Sequence, residues 1–517
     1  MMEAGPSGKD LPMRETSLFR NTWLNLLGQG IPLGFAFFAL PLLLKWIGPE
    51  RVGVMTTLWV VMGYFGLLDL GLGRAVIHVV AERIAQGKRD EAPNYIWLAL
   101  FMICIVSLLG TAVVATLSSR IAGLVLNVQP DLTQETNWAF IAVSCSLPLV
   151  TLTACLRGVI EARQRFLPAN ILQGFSSGAN VIVPLLTGFF TPSLAVLGWG
   201  LFTARAFLLI AHFVMALKEF PELRRRPQFN RDILRRLTHF GSWSTVSNVI
   251  GPVMVYMDRL MVGSRVPAAI VPVYAIPHEA VTRLLILPTA LARALFPKMS
   301  SISHDIRADL SRRVVSVSTV ALFPMVVAMI YFADEALSHW LGPAIGLAAA
   351  PILKVLALGY LLNASSYVPF IQIQSLERPD LSAKAHMIEL PLYLGGLFLL
   401  IGRYGAIGAA WAWFIRIFID TVAMFWLASR VPPKGVLGGA AVNTRTTSQM
   451  NRQIWQDFWG VLFGAALLFP GIFIHALQAR ALAAVATLII FSGVSWRFWF
   501  DAGTRHWLIA KVRLARR

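Results

Sequence analysis

Apolar runs of roughly 20 residues recur along almost the whole chain, and each is about long enough to cross the hydrocarbon core of a bilayer. Charged residues make up only 14% of the 517 residues, whereas a soluble chain carries about a quarter. Because lipid offers no hydrogen-bond partners, such runs must fold as helices that satisfy their own backbone. The sequence therefore predicts an all-α polytopic membrane protein. Its fourteen predicted spans cover about 21–44, 52–72, 94–117, 138–160, 168–190, 193–216, 241–263, 270–292, 315–333, 349–374, 388–402, 405–428, 458–477 and 481–500.

The positive charges behind the net charge of +19 are distributed unevenly among the loops. Most of the 45 Lys and Arg lie in the N-terminal tail, in every second loop and in the C-terminal tail. The alternate loops contain only Lys45, Arg51, Arg120, Arg265, Arg403 and Arg480. Since positive loops stay in the cytoplasm, this asymmetry predicts that both termini are cytoplasmic, and it argues against a nucleic-acid partner. The three cysteines lie in apolar spans without disulfide or metal-ligand spacing, so no metal and no cofactor is predicted.

Landmarks recur in both halves of the chain in the same order. Trp23 and Pro32 are nine residues apart, as are Trp243 and Pro252. Two repeats of six spans each enter the membrane from the same side, so they are predicted to be parallel, which is typical of transporters. The predicted organisation is a cytoplasmic tail (1–19), an N-lobe (20–217), a cytoplasmic linker (218–239), a C-lobe (240–430), a second cytoplasmic linker (431–457), two extra helices (458–500) and a basic cytoplasmic tail (501–517).

Polar side chains recur at helical spacing inside four of the predicted spans. Such residues face a partner helix or a water-filled cavity and not lipid. Helix–helix hydrogen bonding would explain a single stripe. Four stripes related by the repeat favour a shared cavity. Its predicted lining residues are Asn21, Asn25, Gln29, Asn170, Gln173, Thr245, Asn248, Tyr256, His386, Glu389 and Tyr393.

Charged residues inside the spans are the second signal of function. The arginine fork binds diphosphate oxygens bidentately, which favours a cationic cavity for an anionic substrate. The predicted binding cations are Arg205, Arg259, Arg283, Lys354 and Arg416, and the candidates for ion coupling are Asp69, Asp258 and Glu279.

Internal ion pairing is the alternative explanation for these charges. Glu279 with Arg283 and Arg416 with Asp420 are each four residues apart, whereas Arg205 and Lys354 have no acidic residue at that spacing. The pair Asp334-Glu335 is interpreted as a solvated turn.

Short motifs link the chain to a known group of transporters. They are Asn25 with the Pro32 region, Leu40-Pro41, the segment 48–53, the segment 68–73, the segment 258–263 with Tyr274, and Leu295-Phe296-Pro297. With these motifs, residues from about 18 to 430 resemble the multidrug/oligosaccharidyl-lipid/polysaccharide (MOP) exporter superfamily, in its bacterial polysaccharide flippase branch.

The resemblance implies two six-helix lobes around a central cavity that opens to alternate sides of the bacterial cytoplasmic membrane. It implies transport of an undecaprenyl-diphosphate-linked sugar repeat unit by a monomer, with a polysaccharide polymerase and export machinery as partners. Family cavities are often cationic, which agrees with Arg259 and Arg283. Helices at 458–500 are expected to form a lipid-facing groove.

Three other functions stay open at this point. A cation-coupled drug or small-molecule antiporter of the same superfamily would use lobe carboxylates such as Asp69 and Glu389. A membrane polysaccharide polymerase or glycosyltransferase is disfavoured because the outer loops are short, the longest being about 118–137. A scramblase or a channel is the third.

Overall fold

The structure, a computed structural model, describes residues 15–65, 76, 79–80, 83, 86, 89–120, 128–163, 166–225, 227, 233–234, 254, 256–301, 304–376, 378–430, 444–500 and 503–506. This part of the chain is built from helices and contains no strand, which confirms the predicted all-α class. The helices are α1 (Glu15–Phe65), α2 (Ala92–Arg120), α3 (Pro130–Cys145), α4 (Leu147–Ala162), α5 (Phe166–Phe190), α6 (Leu194–Glu219), α7 (Val271–Leu284), α8 (Ile286–Ser301), α9 (His304–Tyr331), α10 (Ala333–Leu341), α11 (Pro343–Ser375), α12 (Pro379–Tyr404), α13 (Ala406–Arg430), α14 (Thr444–Leu468) and α15 (Leu477–Val494). A further helical stretch covers 256–265.

Within the described residues, nine helical segments are long and apolar enough to cross a membrane. They coincide in order with the third, fourth, sixth, eighth to twelfth and fourteenth predicted spans. The helices α5 and α14, each of 25 residues, cover the whole of the fifth predicted span and part of the thirteenth. The protein is therefore a multi-pass membrane protein.

The helix α1 contains one break, at Gly48. Its backbone there has φ 82° and ψ 161°, so two helices meet at this residue. Positive φ is open to glycine at little cost, and the following Pro49 suits the first position of a helix. The break falls between the first and second predicted spans.

The predicted start of α12 differs from the observed one. The predicted span began at 388, whereas the helix begins at Pro379. The added residues include Asp380, Lys384 and His386, whose polarity lowers the hydropathy of these turns. A hydropathy pattern detects the apolar part of a helix, so it does not detect polar first turns.

The chain divides into two compact units. The first comprises Met1–Arg51, Leu58–Gly123 and Val128–Val253, and the second comprises Val52–Thr57, Leu124–Asn127 and Met254–Arg517. The predicted lobe and linker boundaries, as well as the internal repeat, stay predictions.

The core of the first unit lies between α2, α4 and α6. It includes the buried side chains of Ile103, Leu156 and Val159. The helix α6 approaches α3 closely at Gly198, where an added Cβ atom would lie 3.0 Å from the Cα atom of Ala139. Small residues at such contacts let membrane helices pack tightly.

The second unit is organised around α11. Of the 18-residue stretch that qualifies α11 as a span, 78% is buried, more than in the other candidate spans of the described residues. It packs against α7, α9, α10 and α13. A Cβ atom at Gly359 would lie 2.5 Å from the ring atom Cζ3 of Trp413, so this glycine makes room for the indole of α13.

Two buried cations and their partners join the end of α9, α10, α11 and α15. Arg480 donates to Asp334, to Glu335 at 2.5 Å and to the Tyr331 carbonyl at 3.3 Å. Lys354 lies 2.7 Å from Asp334. We call Asp334, Glu335, Lys354 and Arg480 the Arg480 cluster. The interpretation of Asp334-Glu335 as a solvated turn is therefore wrong, and Lys354 has a partner that lies too far along the sequence to be found at helical spacing.

The last two helices contact α9 at further points. The Phe323 and Phe491 rings stack with centroids 3.7 Å apart. In the turn after α15, the Trp499 Nε1 atom donates to Asp457 at 2.8 Å, and Arg312 donates to the Trp499 carbonyl at 3.4 Å. The helices α14 and α15 are therefore fixed to α9 near both ends of α15.

We expect Arg480→Ala to lower the free energy of unfolding by about 3 kcal/mol, because it leaves Asp334 and Glu335 facing a single ammonium group. The control is Arg403→Ala, which removes an exposed side chain in contact with Tyr404 and should change stability by about 0.5 kcal/mol or less. The measurement is thermal unfolding of the purified protein in detergent. Equal transition temperatures for the two variants would contradict the role assigned to Arg480.

Candidate functional site

A chain of charged and polar groups lies in the second unit between the stretch 256–265 and α7. Arg259 donates from Nη2 to Glu279 at 2.6 Å and to His278 Nδ1 at 3.0 Å. Glu279 also accepts from Arg283 at 2.6 Å. The predicted pair Glu279–Arg283 is thus present, and it is extended by Arg259 from a different helix.

The buried end of this network is formed by His278, Asp258 and Tyr274. An arginine can only donate, so His278 Nδ1 accepts from Arg259 and the ring proton lies on Nε2. The Nε2 atom lies 3.0 Å from Asp258 Oδ2, and this oxygen accepts from the Tyr274 hydroxyl at 2.5 Å. Asp258 therefore accepts from a neighbouring hydroxyl and lies beside the His278 ring. Sequence reasoning missed His278, whose only signal was its position next to Glu279 inside an apolar span.

A second group of charges joins α12 and α13. Arg416 donates from Nε to Glu389 at 3.0 Å and lies over the Tyr393 ring at 5.2 Å from its centroid. His386 lies 3.2 Å from Asp420. The predicted pairing of Arg416 with Asp420 along one helix is wrong, because each of the two bonds a residue of the neighbouring helix instead.

Ligand atoms of His386, Glu389 and Asp420 lie within 4.8 Å of one another, a spacing that a metal ion could bridge. Glu389 already bonds the guanidinium of Arg416, whose positive charge disfavours a metal ion beside it. These donors therefore fit a pair of ion pairs better than a metal site.

Arg205 is the predicted cation of the first unit. It is 7% exposed and donates from Nη2 to the amide oxygen of Asn180 at 3.0 Å, with the Met62 sulfur 2.9 Å away. Its Nη1 atom is buried and has no hydrogen-bond partner among the described residues. Within that same part of the chain Arg205 has no carboxylate partner, unlike the other four predicted cations.

The predicted lining residues of α5 lie on the same helix as Asn180. Gln173 donates to Ser177 at 3.4 Å, and both side chains are half-buried, as is that of Asn170. Tyr256 is half-buried in the second unit. Six predicted residues have side chains outside the described residues: Asn21, Asn25, Gln29, Asp69, Thr245 and Asn248.

Comparisons with known proteins agree with this architecture. A family model described as "Polysaccharide biosynthesis protein" matches residues 18–303. A putative O-antigen transporter of Shigella flexneri is 30% identical over 80% of this chain and 98% of the relative. A probable low-salt glycan biosynthesis flippase of Haloferax volcanii is 24% identical over 85% of this chain and 91% of the relative.

Solved structures show the same fold at low sequence identity. The lipid II flippase MurJ in an inward closed conformation superposes with a TM-score of 0.65 at 12% identity, covering 93% of this chain and 98% of that chain. An inward-facing multidrug resistance MATE transporter of the MOP superfamily gives a TM-score of 0.61 at 13% identity, covering 83% and 99%. These likenesses establish the fold.

The two arginines bound to Glu279 should respond differently to substitution. Arg259→Ala removes the buried cation that pairs with Glu279 and donates to His278 Nδ1, and we expect a loss of about 3 kcal/mol of stability. Arg283 is 60% exposed, so Arg283→Ala should cost about 0.5 kcal/mol or less. Thermal unfolding and the yield of folded protein measure both. A larger loss for Arg283→Ala than for Arg259→Ala would contradict this arrangement.

Proposed function

The chain belongs to the polysaccharide biosynthesis protein family of the MOP superfamily, and from this premise we propose that it flips an undecaprenyl-diphosphate-linked polysaccharide repeat unit by alternating access. It is a multi-pass membrane transporter and not an enzyme. In the proposal it lies in a bacterial cytoplasmic membrane with both termini in the cytoplasm. It acts as a monomer and passes its cargo to a polysaccharide polymerase and export machinery.

The observation that carries the proposal is the environment of Arg205. A guanidinium inside a membrane span costs roughly 2.5–3.5 kcal/mol unless it is paired. The described acceptors of Arg205 are one neutral amide oxygen and a thioether sulfur, and Nη1 is without one. A diphosphate supplies the missing negative charge in the bidentate geometry that arginine prefers. We therefore assign Arg205 to the lipid diphosphate.

The predicted cations of the second unit have a different role in this proposal. Arg259, Lys354 and Arg416 each lie within 3.0 Å of a carboxylate and are mostly buried, so they stabilise helix contacts. Arg283 shares Glu279 with Arg259 but is largely exposed, which suits a second contact with an anionic substrate. Arg283 thus stays a separate candidate for contact with an anionic substrate.

We expect Arg205→Ala to reduce the surface polysaccharide of a complemented deletion strain strongly. The loss of one charge-assisted contact of about 2 kcal/mol weakens diphosphate binding roughly thirtyfold. Arg205→Lys keeps the charge without the fork and should retain part of the export. The matched control is Arg120→Ala, which removes an exposed arginine that does not contact Arg205. The strain with this variant should export normally.

Immunoblots must show equal amounts of all four proteins in the membrane. Normal export by Arg205→Ala at normal abundance would refute the assignment of Arg205. Accumulation of the lipid-linked precursor in the Arg205→Ala strain, with synthesis intact, places the defect at the translocation step.

A further inference from the structure

The second unit contains a cavity of about 200 Å³ that the sequence did not reveal. It lies where α7, α11, α12 and α13 meet. Three aromatic side chains, two imidazoles and an amide contribute to its wall: Tyr367, Phe370, Trp413, His278, His386 and Asn363. The cavity offers about the room that one sugar ring needs.

The charges around this cavity do not favour an anion. Arg416 and Asp420 also line it, but Arg416 is bound to Glu389 and Asp420 to His386. The guanidinium that lines the cavity therefore already has a carboxylate partner. A diphosphate would be repelled here, whereas an uncharged polar group would not.

The wall combines flat rings with hydrogen-bonding groups. Trp413 meets the His278 ring edge-on at 5.8 Å, and Phe370 stacks on His386 at 6.2 Å. Asn363 offers both a donor and an acceptor, and the Ser366 hydroxyl adds a further acceptor. A sugar ring has one face of C–H groups that packs on aromatic rings and a rim of hydroxyls that bond amides and hydroxyls.

We propose that this cavity binds one uncharged sugar residue of the lipid-linked glycan, with the part of Trp413 that lines the cavity as an apolar contact and Asn363 as its main hydrogen-bonding group. The proposal rests on the proposed function. It separates two tasks, since Arg205 is assigned to the diphosphate and the cavity to the sugar.

The position of Trp413 is fixed by its surroundings. The indole is 5% exposed and fills the space left by the missing side chain of Gly359. A ring held on two sides loses little conformational entropy when a ligand arrives. The cavity therefore has a preformed wall, which favours selection among sugars.

The test is equilibrium binding of two probes to the full-length protein in lipid nanodiscs. One probe is undecaprenyl diphosphate, and the other is the same lipid carrying one N-acetylglucosamine residue. We expect the wild-type protein to bind the sugar-bearing lipid about tenfold more tightly than the bare lipid. Trp413→Ala and the near-isosteric Asn363→Leu should each reduce this ratio to about twofold or less, with unchanged affinity for the bare lipid.

Trp411→Ala is the matched control, because Trp411 lies on the same helix and packs against Phe414 and Phe469. It should keep the wild-type ratio. Equal affinity of the wild-type protein for the two lipids would overturn the sugar pocket and leave the flippase proposal intact. An unchanged ratio in both cavity variants, or an equal loss of both lipids, would also overturn it. Binding of neither lipid by the wild-type protein would contradict the proposed function itself.

Discussion

Pairing of buried cations with carboxylates on other helices is the interaction on which the second unit depends. Lipid tails are as apolar as leucine, so apolar packing alone gives helices little reason to choose one neighbour over another. A charged side chain inside the membrane, in contrast, is costly unless it lies beside a group of opposite charge. The contacts Arg259–Glu279, Lys354–Asp334 and Arg416–Glu389 therefore fix which helices lie together and in which rotation.

Arg205 departs from that arrangement in the first unit. Its described partners are polar but uncharged. The same rule that makes ion pairs useful for assembly makes an unpaired guanidinium useful for binding, since its counter-charge can come from a substrate. Buried cations thus serve both helix packing and substrate binding in this proposal. A cation paired with a carboxylate of the protein serves packing, and one without such a partner serves binding.

The sequence predicted the order and type of the spans because hydropathy is a local property. It found the pair Glu279–Arg283 within one helix but failed on partners that lie on other helices. Arg416 and Asp420 are four residues apart, yet each bonds a residue of α12. The partner of Lys354 is twenty positions away at Asp334, beyond the reach of helical spacing. The cavity was also hidden, because Trp413 and Asn363 become a site only when α11 and α13 meet.

The attachment of α15 has a consequence for how such a chain can be shortened. Arg480 is one of the two cations that balance the charges of Asp334 and Glu335. Trp499 donates a hydrogen bond to Asp457. Removing everything after α13 would leave α10 and α11 with two carboxylates beside one ammonium group and would uncover Phe323. A version of this protein that ends after α13 would thus require compensating changes at residues 323, 334 and 335, so the last two helices are an integral part of the second unit.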